Sequence, residues 1–358
     1  VTSTHKRLAP AIFDLPVEKM QAGWYTDAYF NHARATLLAD GRHPNVVLQV
    51  FQKRNAYLGG MDEAIAILKL CADTFADLTV HALYDGDSIE PYESVMTIEG
   101  DYTAFAHLET VYLGTLARRT LITTNTVNVL RAANGKPVIF MPARHDHHRV
   151  QTGDGYAAYV AGQIVGTPIG VTTEEQASWW GGSGIGTVPH ALIAAYGGDT
   201  VAAAKHFADW ASDDMNVTVL VDFENDSVRT ALEVAHALGP RLWGVRLDTS
   251  ETLVDRSLWE EMGDFKPAGV NPRLVLKVRE ALDREGFDSV RIVVSGGFTV
   301  EKIVEFEEDD VPVDAYGVGS SLIRGSNDFT ADIVMTDGKP SAKVGRRYRP
   351  SARLELVT

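Results

Sequence analysis

The stretch Val290–Leu322, VRIVVSGGFTVEKIVEFEEDDVPVDAYGVGSSL, holds two short apolar runs that each stop at glycine. The first, Val290 to Val294, is almost wholly β-branched and apolar, which is how a strand covered on both faces reads. It ends in Ser295-Gly296-Gly297. Thr299 then has the chemistry of a helix N-cap for a segment through Glu308, whose apolar residues Val300, Ile303, Val304 and Phe306 recur at helical spacing. A second strand, Val313 to Tyr316, ends in Gly317-Val318-Gly319-Ser320. Strand, helix, strand in that order is a parallel α/β unit. Neighbouring parallel strands that finish in glycine and serine offer backbone N–H groups with no side chain in the way, and the following helix N-termini add positive partial charge. A phosphate suits that place, and α/β barrels commonly build such a site after their last two strands. A glycine that only serves a tight turn is the alternative for either pair taken alone. Two pairs at consecutive strand ends favour a phosphate cradle made of Ser295, Gly296, Gly297, Gly317, Gly319 and Ser320.

Outward from this stretch, the same rhythm runs back through the chain. Strands at Pro137–Pro142, Thr167–Val171, Thr187–His190, Val217–Asp222, Leu242–Asp248, Val290–Ser295 and Asp314–Gly317 alternate with helical segments. That is the signature of a parallel sheet or barrel. Seven strands do not make a closed eight, so the expected fold is an irregular, incomplete parallel α/β barrel over residues 118–328. Residues 1–117 read as a separate open-faced α/β domain, with helices at Trp24–Asp40 and Met61–Phe75 and strands at Asn45–Phe51, Leu78–Tyr84 and Ser94–Glu99. A helical stretch from Phe105 to Arg131 leads from one to the other. The tail alternates as β structure from Phe329 to Val344, and residues 329–358 are expected to return to the first domain.

Composition narrows the partners. The chain has 358 residues, 45% of them hydrophobic, and a net charge of −15. Nucleic acid is an unsuitable partner for an acidic surface, so clustered basic groups point to small anionic ligands. The single cysteine, Cys71, allows no internal disulfide and no cysteine-rich zinc site, and it lies on the apolar side of a helical pattern. No apolar run reaches membrane-spanning length and the opening VTSTHKRLAP lacks an apolar leader core, which sets a cytoplasmic expectation.

Barrel enzymes work at the carboxyl ends of their strands, and here those ends are polar. The first strand closes on Arg144-His145-Asp146-His147-His148, the third on His190, the fourth on Asp222 and the fifth on Arg246-Leu247-Asp248. Arginine and carboxylate beside a phosphate cradle suit a ligand with phosphates and hydroxyls, with Mg²⁺ bridging phosphate and carboxylate. Arg246 and Asp248 can alternatively form an internal ion pair. The histidines at 145 to 148 have zinc-ligand chemistry, but neighbours on one strand end rarely share a metal, which favours a solvated loop with Arg144 as its functional member.

In their order along the chain, five short motifs resemble nicotinate phosphoribosyltransferases, within the nicotinate and nicotinamide phosphoribosyltransferase group. They are Thr26-Asp27-Ala28-Tyr29-Phe30, Glu109-Thr110 with Leu116-Ala117-Arg118-Arg119-Thr120, Gly186-Thr187-Val188-Pro189-His190, Arg246-Leu247-Asp248-Thr249 and Gly317-Val318-Gly319-Ser320. The resemblance implies transfer of phosphoribosyl from phosphoribosyl pyrophosphate to nicotinate in NAD biosynthesis, with Mg²⁺, ATP as co-substrate, and a homodimer with shared active sites. It implies that His190 accepts a phosphoryl group from ATP. The chemistry asks for oriented carboxylates near the ribose, a part that Asp248 and Asp222 fit, and for cations on the leaving group, a part open to Arg118, Lys53 and Arg54. Tyr29 can stack on a pyridine ring, Arg144 or Arg246 can pair its carboxylate, and Thr173, after the second strand, joins the substrate-binding candidates.

Departures border the base pocket and bear on which base is used. Where the family commonly has Gly-x-Arg-Arg, this chain has Pro142-Ala143-Arg144-His145, and Asp248-Thr249-Ser250 stands where Asp-Ser-Gly is common. The rival readings are a quinolinate or nicotinamide phosphoribosyltransferase and a non-catalytic, nucleotide-sensing relative.

Overall fold

The computed structural model describes residues 6–263 and 265–358. Half of the opening stretch read above as lacking a leader core, residues 1–5, lies outside the described residues. The chain divides into two compact units. The first comprises the residues through Val127 together with Tyr156–Ile164 and Gly325–Thr358, and the second comprises Asn128–Gly155 and Val165–Arg324.

The first unit is built on an antiparallel six-stranded sheet. Its order is Lys339–Pro340, Thr330–Thr336, Asn45–Phe51, Ser94–Asp101, Thr79–Ala82, Glu355–Leu356. The alternating tail therefore joins this sheet at both ends, with Thr330–Thr336 paired along Asn45–Phe51 and Glu355–Leu356 along Thr79–Ala82. The helix Met61–Cys71 supplies Met61, Ala64, Ile65, Leu68 and Cys71 to the core, where they pack with Val50, Val80 and Ile98 of the sheet. Cys71 is wholly buried, as its apolar spacing indicates. Asp85 starts this helix by accepting the N–H groups of Met61 (2.7 Å) and Asp62 (3.3 Å), which otherwise lack partners in a first turn. The helix expected from Trp24 runs instead over Ala28–Ala39, and that expected from Phe105 over Glu109–Ala132.

The second unit carries a six-stranded, wholly parallel sheet. Its order is Ile169–Val171, Val138–Phe140, Ala315–Val318, Arg291–Val294, Leu242–Leu247, Val217–Leu220. The strands Val217–Leu220 and Ala315–Val318 are buried along their whole length, which matches their apolar runs. Thr299 caps the helix Val300–Glu308 through the Lys302 N–H, as its position indicates. The segment Thr187–His190 is not a strand. Pro189 has no N–H to give a ladder, and the flanking chain makes only single parallel bridges, Gly184 with Val171 and Val188 with Val219. The sheet is thus an incomplete barrel whose two edge strands are each touched once by the 184–188 segment.

Candidate active site

Register brings the polar strand ends together. Val293 and Val294 pair with Arg246 and Leu247, so the next residues, Ser295 and Asp248, emerge side by side. Arg246 donates from Nε to Ser295 Oγ at 2.8 Å, from one terminal nitrogen to Thr187 Oγ1 at 3.2 Å and from the other to Asp248 Oδ2 at 3.3 Å. Ser295 Oγ in turn donates to Asp248 Oδ1 at 2.7 Å. Arginine and carboxylate are therefore an internal pair and a shared polar network at once, with the guanidinium fixed on three sides. Thr187 was missed as a site residue by sequence reasoning, although it lies in the Gly-Thr-Val-Pro-His motif.

The glycine turns border this network. A side chain on Gly296 would lie 3.4 Å from Asp248 Oδ1, and Gly296 itself has φ +88°, a left-handed conformation that favours glycine. One strand further on, a side chain on Gly317 would meet the Met141 sulfur at 2.8 Å and Ser295 Cβ at 3.1 Å. Gly319 faces His145, whose Nε2 would be 3.0 Å from an added Cβ. Ser320 opens the short turn Ser320–Ile323.

His190 begins the helix His190–Ala195 and places Nε2 at 3.0 Å from Asp222 Oδ1. The Asp222 side chain is 6% exposed and that of His190 43%. The hydrogen bond to Asp222 raises the His190 pKa above its ordinary value, partial burial opposes that rise, and the charges of Asp222 and Asp248 add to it while Arg246 subtracts. His190 thus lies within electrostatic reach of the Arg246–Asp248 pair. Its Nδ1 has no hydrogen-bond partner among the described residues.

The remaining candidates are more dispersed. Arg144 sits in the exposed turn Ala143–His145, with no hydrogen-bond or ion-pair partner among the described residues. Thr173 uses its hydroxyl as the cap of the helix Glu174–Ala177, accepting from Gln176 N at 3.2 Å and donating to Gln151 Oε1 at 3.0 Å. Tyr29, Lys53, Arg54 and Arg118 belong to the first unit. There Tyr29 is 61% exposed and donates to Asp27 Oδ2 at 3.3 Å, which also accepts from Thr110 Oγ1 at 3.0 Å. Lys53 lies 3.9 Å from Asp328, Arg54 donates to the Ser326 carbonyl at 2.9 Å, and Arg118 is half-buried on the long helix. The histidines at 145 to 148 form no metal cage. Among the described residues no group of three or more His, Cys, Asp or Glu is placed to hold a metal ion.

Known proteins resemble this chain in sequence and in fold. The family model of the quinolinate phosphoribosyl transferase N-terminal domain matches residues 27–120. The nicotinate phosphoribosyltransferase pncB1 of Mycobacterium tuberculosis is 31% identical over 283 residues, covering 76% of this chain and 57% of that protein. The crystal structure of nicotinate-nucleotide pyrophosphorylase from Pyrococcus furiosus superimposes with a TM-score of 0.79 at 32% identity, over 99% of this chain and 86% of that one. The chain belongs to the nicotinate phosphoribosyltransferase family. The crystal structure of human nicotinic acid phosphoribosyltransferase, at 17% identity and a TM-score of 0.64, shares its fold. This member of the nicotinate phosphoribosyltransferase family spans somewhat over half the length of the curated relatives it matches.

Proposed function

We propose that this chain transfers phosphoribosyl from phosphoribosyl pyrophosphate to nicotinate, giving nicotinate mononucleotide and pyrophosphate in NAD biosynthesis. The observation that carries this reading is the Arg246–Ser295–Asp248 network beside the Gly296–Gly297 turn. Displacement at the anomeric carbon develops an oxocarbenium-like centre, and the Asp248 carboxylate, held by Ser295 and Arg246, is the fixed negative charge that stabilises it. The backbone of Gly296, Gly297, Gly319 and Ser320 holds the 5-phosphate. Arg144, which has no hydrogen-bond or ion-pair partner among the described residues, pairs the nicotinate carboxylate, whereas Arg246 is already committed to three hydrogen bonds. One unpaired arginine suits one carboxylate, so quinolinate, with two, is the weaker substrate. Quinolinate stays the second reading because the matching family model carries the name of that enzyme.

ATP coupling and Mg²⁺ belong to the same proposal. His190 Nδ1 has no partner among the described residues while Asp222 occupies Nε2, so the γ-phosphoryl group of ATP would form its bond to Nδ1 as its bond to oxygen breaks and ADP leaves. Mg²⁺ needs only one or two protein carboxylates when phosphate oxygens complete its shell, and Asp222 and Asp248 are the carboxylates at hand. When bound it would neutralise charge on the pyrophosphate. We further take the protein to act as a homodimer in the cytoplasm, with Tyr29, Lys53, Arg54 and Arg118 of one protomer completing the site of the other. The exposed Trp24, Tyr25 and Tyr29 support such a surface, and no described helix is long and apolar enough to cross a membrane.

The test is turnover of nicotinate, nicotinamide and quinolinate with phosphoribosyl pyrophosphate and Mg²⁺, with and without ATP. Nicotinate should be favoured by about a hundredfold or more over the neutral amide, because the amide leaves a cation unpaired. Quinolinate turnover with release of carbon dioxide, exceeding that of nicotinate, would overturn the assignment.

A further inference from the structure

The Gly296–Gly297 turn is flanked by two charged side chains, Glu251 and Lys302, with no ion-pair partner among the described residues. Gly297 has φ +73°, and any side chain there would run into the Glu251 carboxylate, which therefore lies against the bare face of the turn. Glu251 is exposed and makes no hydrogen bond or ion pair among the described residues. Its loop is tied down just beyond it, where Gly269 N donates to the Leu253 carbonyl at 2.8 Å and Val254 bridges Ala268. The side chain is thus free to swing while its backbone stays.

On the same turn, the half-buried Lys302 ammonium lies 3.5 Å from the Gly296 carbonyl and 4.5 Å from the centre of the Phe298 ring. It has no carboxylate within ion-pair distance among the described residues. Burial lowers its pKa, Lys266 lowers it further, and the charges of Glu251 and Glu305 act against both. A half-buried cation beside a glycine turn, in a chain of net charge −15, is a group suited to pairing an anion.

We propose that Lys302 binds the substrate phosphate at the Gly296–Gly297 turn, and that the Glu251 carboxylate holds the anion's place there until phosphate displaces it. This rests on the phosphoribosyl-transfer reading of the site. A phosphate dianion and a carboxylate repel at such separation, so Glu251 must leave as phosphate enters, and Lys302 then faces phosphate on a turn that offers only backbone. The arrangement weakens phosphate binding in the resting enzyme and keeps the turn's charge balanced when it is empty.

The experiment measures the KM for phosphoribosyl pyrophosphate and, by calorimetry, the Kd of ribose 5-phosphate, in the wild type, Glu251→Gln, Lys302→Ala and Lys302→Arg. Glu251→Gln should lower both constants by about threefold, and Lys302→Ala should raise both by about tenfold with Lys302→Arg restoring most of the loss. Unchanged or raised constants in Glu251→Gln, or unchanged constants in Lys302→Ala, would overturn the proposal even if nicotinate is turned over. If no pyridine base is turned over but ribose 5-phosphate binding shifts as stated, the transferase reading falls and this one stands. A wild type that neither reacts nor binds ribose 5-phosphate removes both.

Discussion

His190 and Asp222 set the pH behaviour of the proposed phosphoryl acceptor. Because the hydrogen bond to Asp222 raises the imidazole pKa, the ring stays protonated to higher pH than an isolated histidine. A protonated ring is no nucleophile, so ATP stimulation should fade as pH drops through that raised value. In Asp222→Asn the charge is gone, and both the NMR titration midpoint of His190 and the acid limb of ATP stimulation should move to lower pH. A midpoint that does not move would detach His190 from Asp222. The glycines separate strain from function. Gly297→Ala forces a left-handed alanine and displaces Glu251, at a cost of about 1 kcal/mol or more in stability. At Gly319 an added Cβ meets His145 Nε2 at 3.0 Å, so Gly319→Val must push that exposed ring aside, and its urea midpoint is measured beside its kinetics. Its effect should fall on the KM for phosphoribosyl pyrophosphate, rising about tenfold or more while the KM for the base holds. At this scale the sequence revealed Arg246, Asp248 and Ser295, because two strand ends with fixed register must lie side by side. Glu251 and Lys302 were not visible, since a loop and a helix approach each other there by packing that no period encodes.

Among the elements, the loop after Asp248 owes its fixed end to one buried carboxylate. Asp255 is wholly buried, and it accepts from Ser227 N and Oγ with one oxygen (2.9 and 2.7 Å) and from Ser257 N and Oγ with the other (3.0 and 2.7 Å). It thereby supplies the start of the helix Ser227–Leu238, whose own N-cap Asp226 makes no capping bond. Asp255→Ala strands four donors, and urea unfolding should show a loss of about 3 kcal/mol or more. A loss under 1 kcal/mol would mean that other groups replace it. Strands were legible wherever β-branched residues ran between glycines, and Val290–Val294 and Val313–Tyr316 were found within two residues of their ends. Thr187–His190 deceived for the same reason, because its composition resembles a strand while Pro189 denies it a ladder. The short turn around Arg144 is closed by the backbone bond from His145 N to the Pro142 carbonyl, and the cap at Thr173 depends on its hydroxyl, so neither left a period to read.

Over the whole molecule, buried carboxyls bias stability toward mildly acidic pH. Burial, aided by the Asp332 charge, pushes Glu109 up to about 8, and burial beside Asp62 pushes Asp85 upward as well. A carboxyl whose folded pKa exceeds its unfolded one contributes stability that is fully present below the unfolded value and is lost as pH rises through the folded one. The melting temperature should therefore fall between about pH 5 and pH 9, and Glu109→Gln should flatten that fall by removing a term of a few kcal/mol, on the order given by the shift. An identical slope in the variant would exclude Glu109 as a cause. The incomplete barrel has a different consequence. Its opposite edges are joined across residues 184–188 by two backbone hydrogen bonds, Ile185 N to the Val171 carbonyl at 2.8 Å and Val188 N to the Thr218 carbonyl at 2.9 Å, and His190 follows directly. Such a seam can breathe without disturbing the continuous ladders. Amide deuterium uptake should start at Ile185 and Val188 long before it reaches Val293 or Val245, and each opening would swing the imidazole, through Pro189, in and out of reach of the mouth.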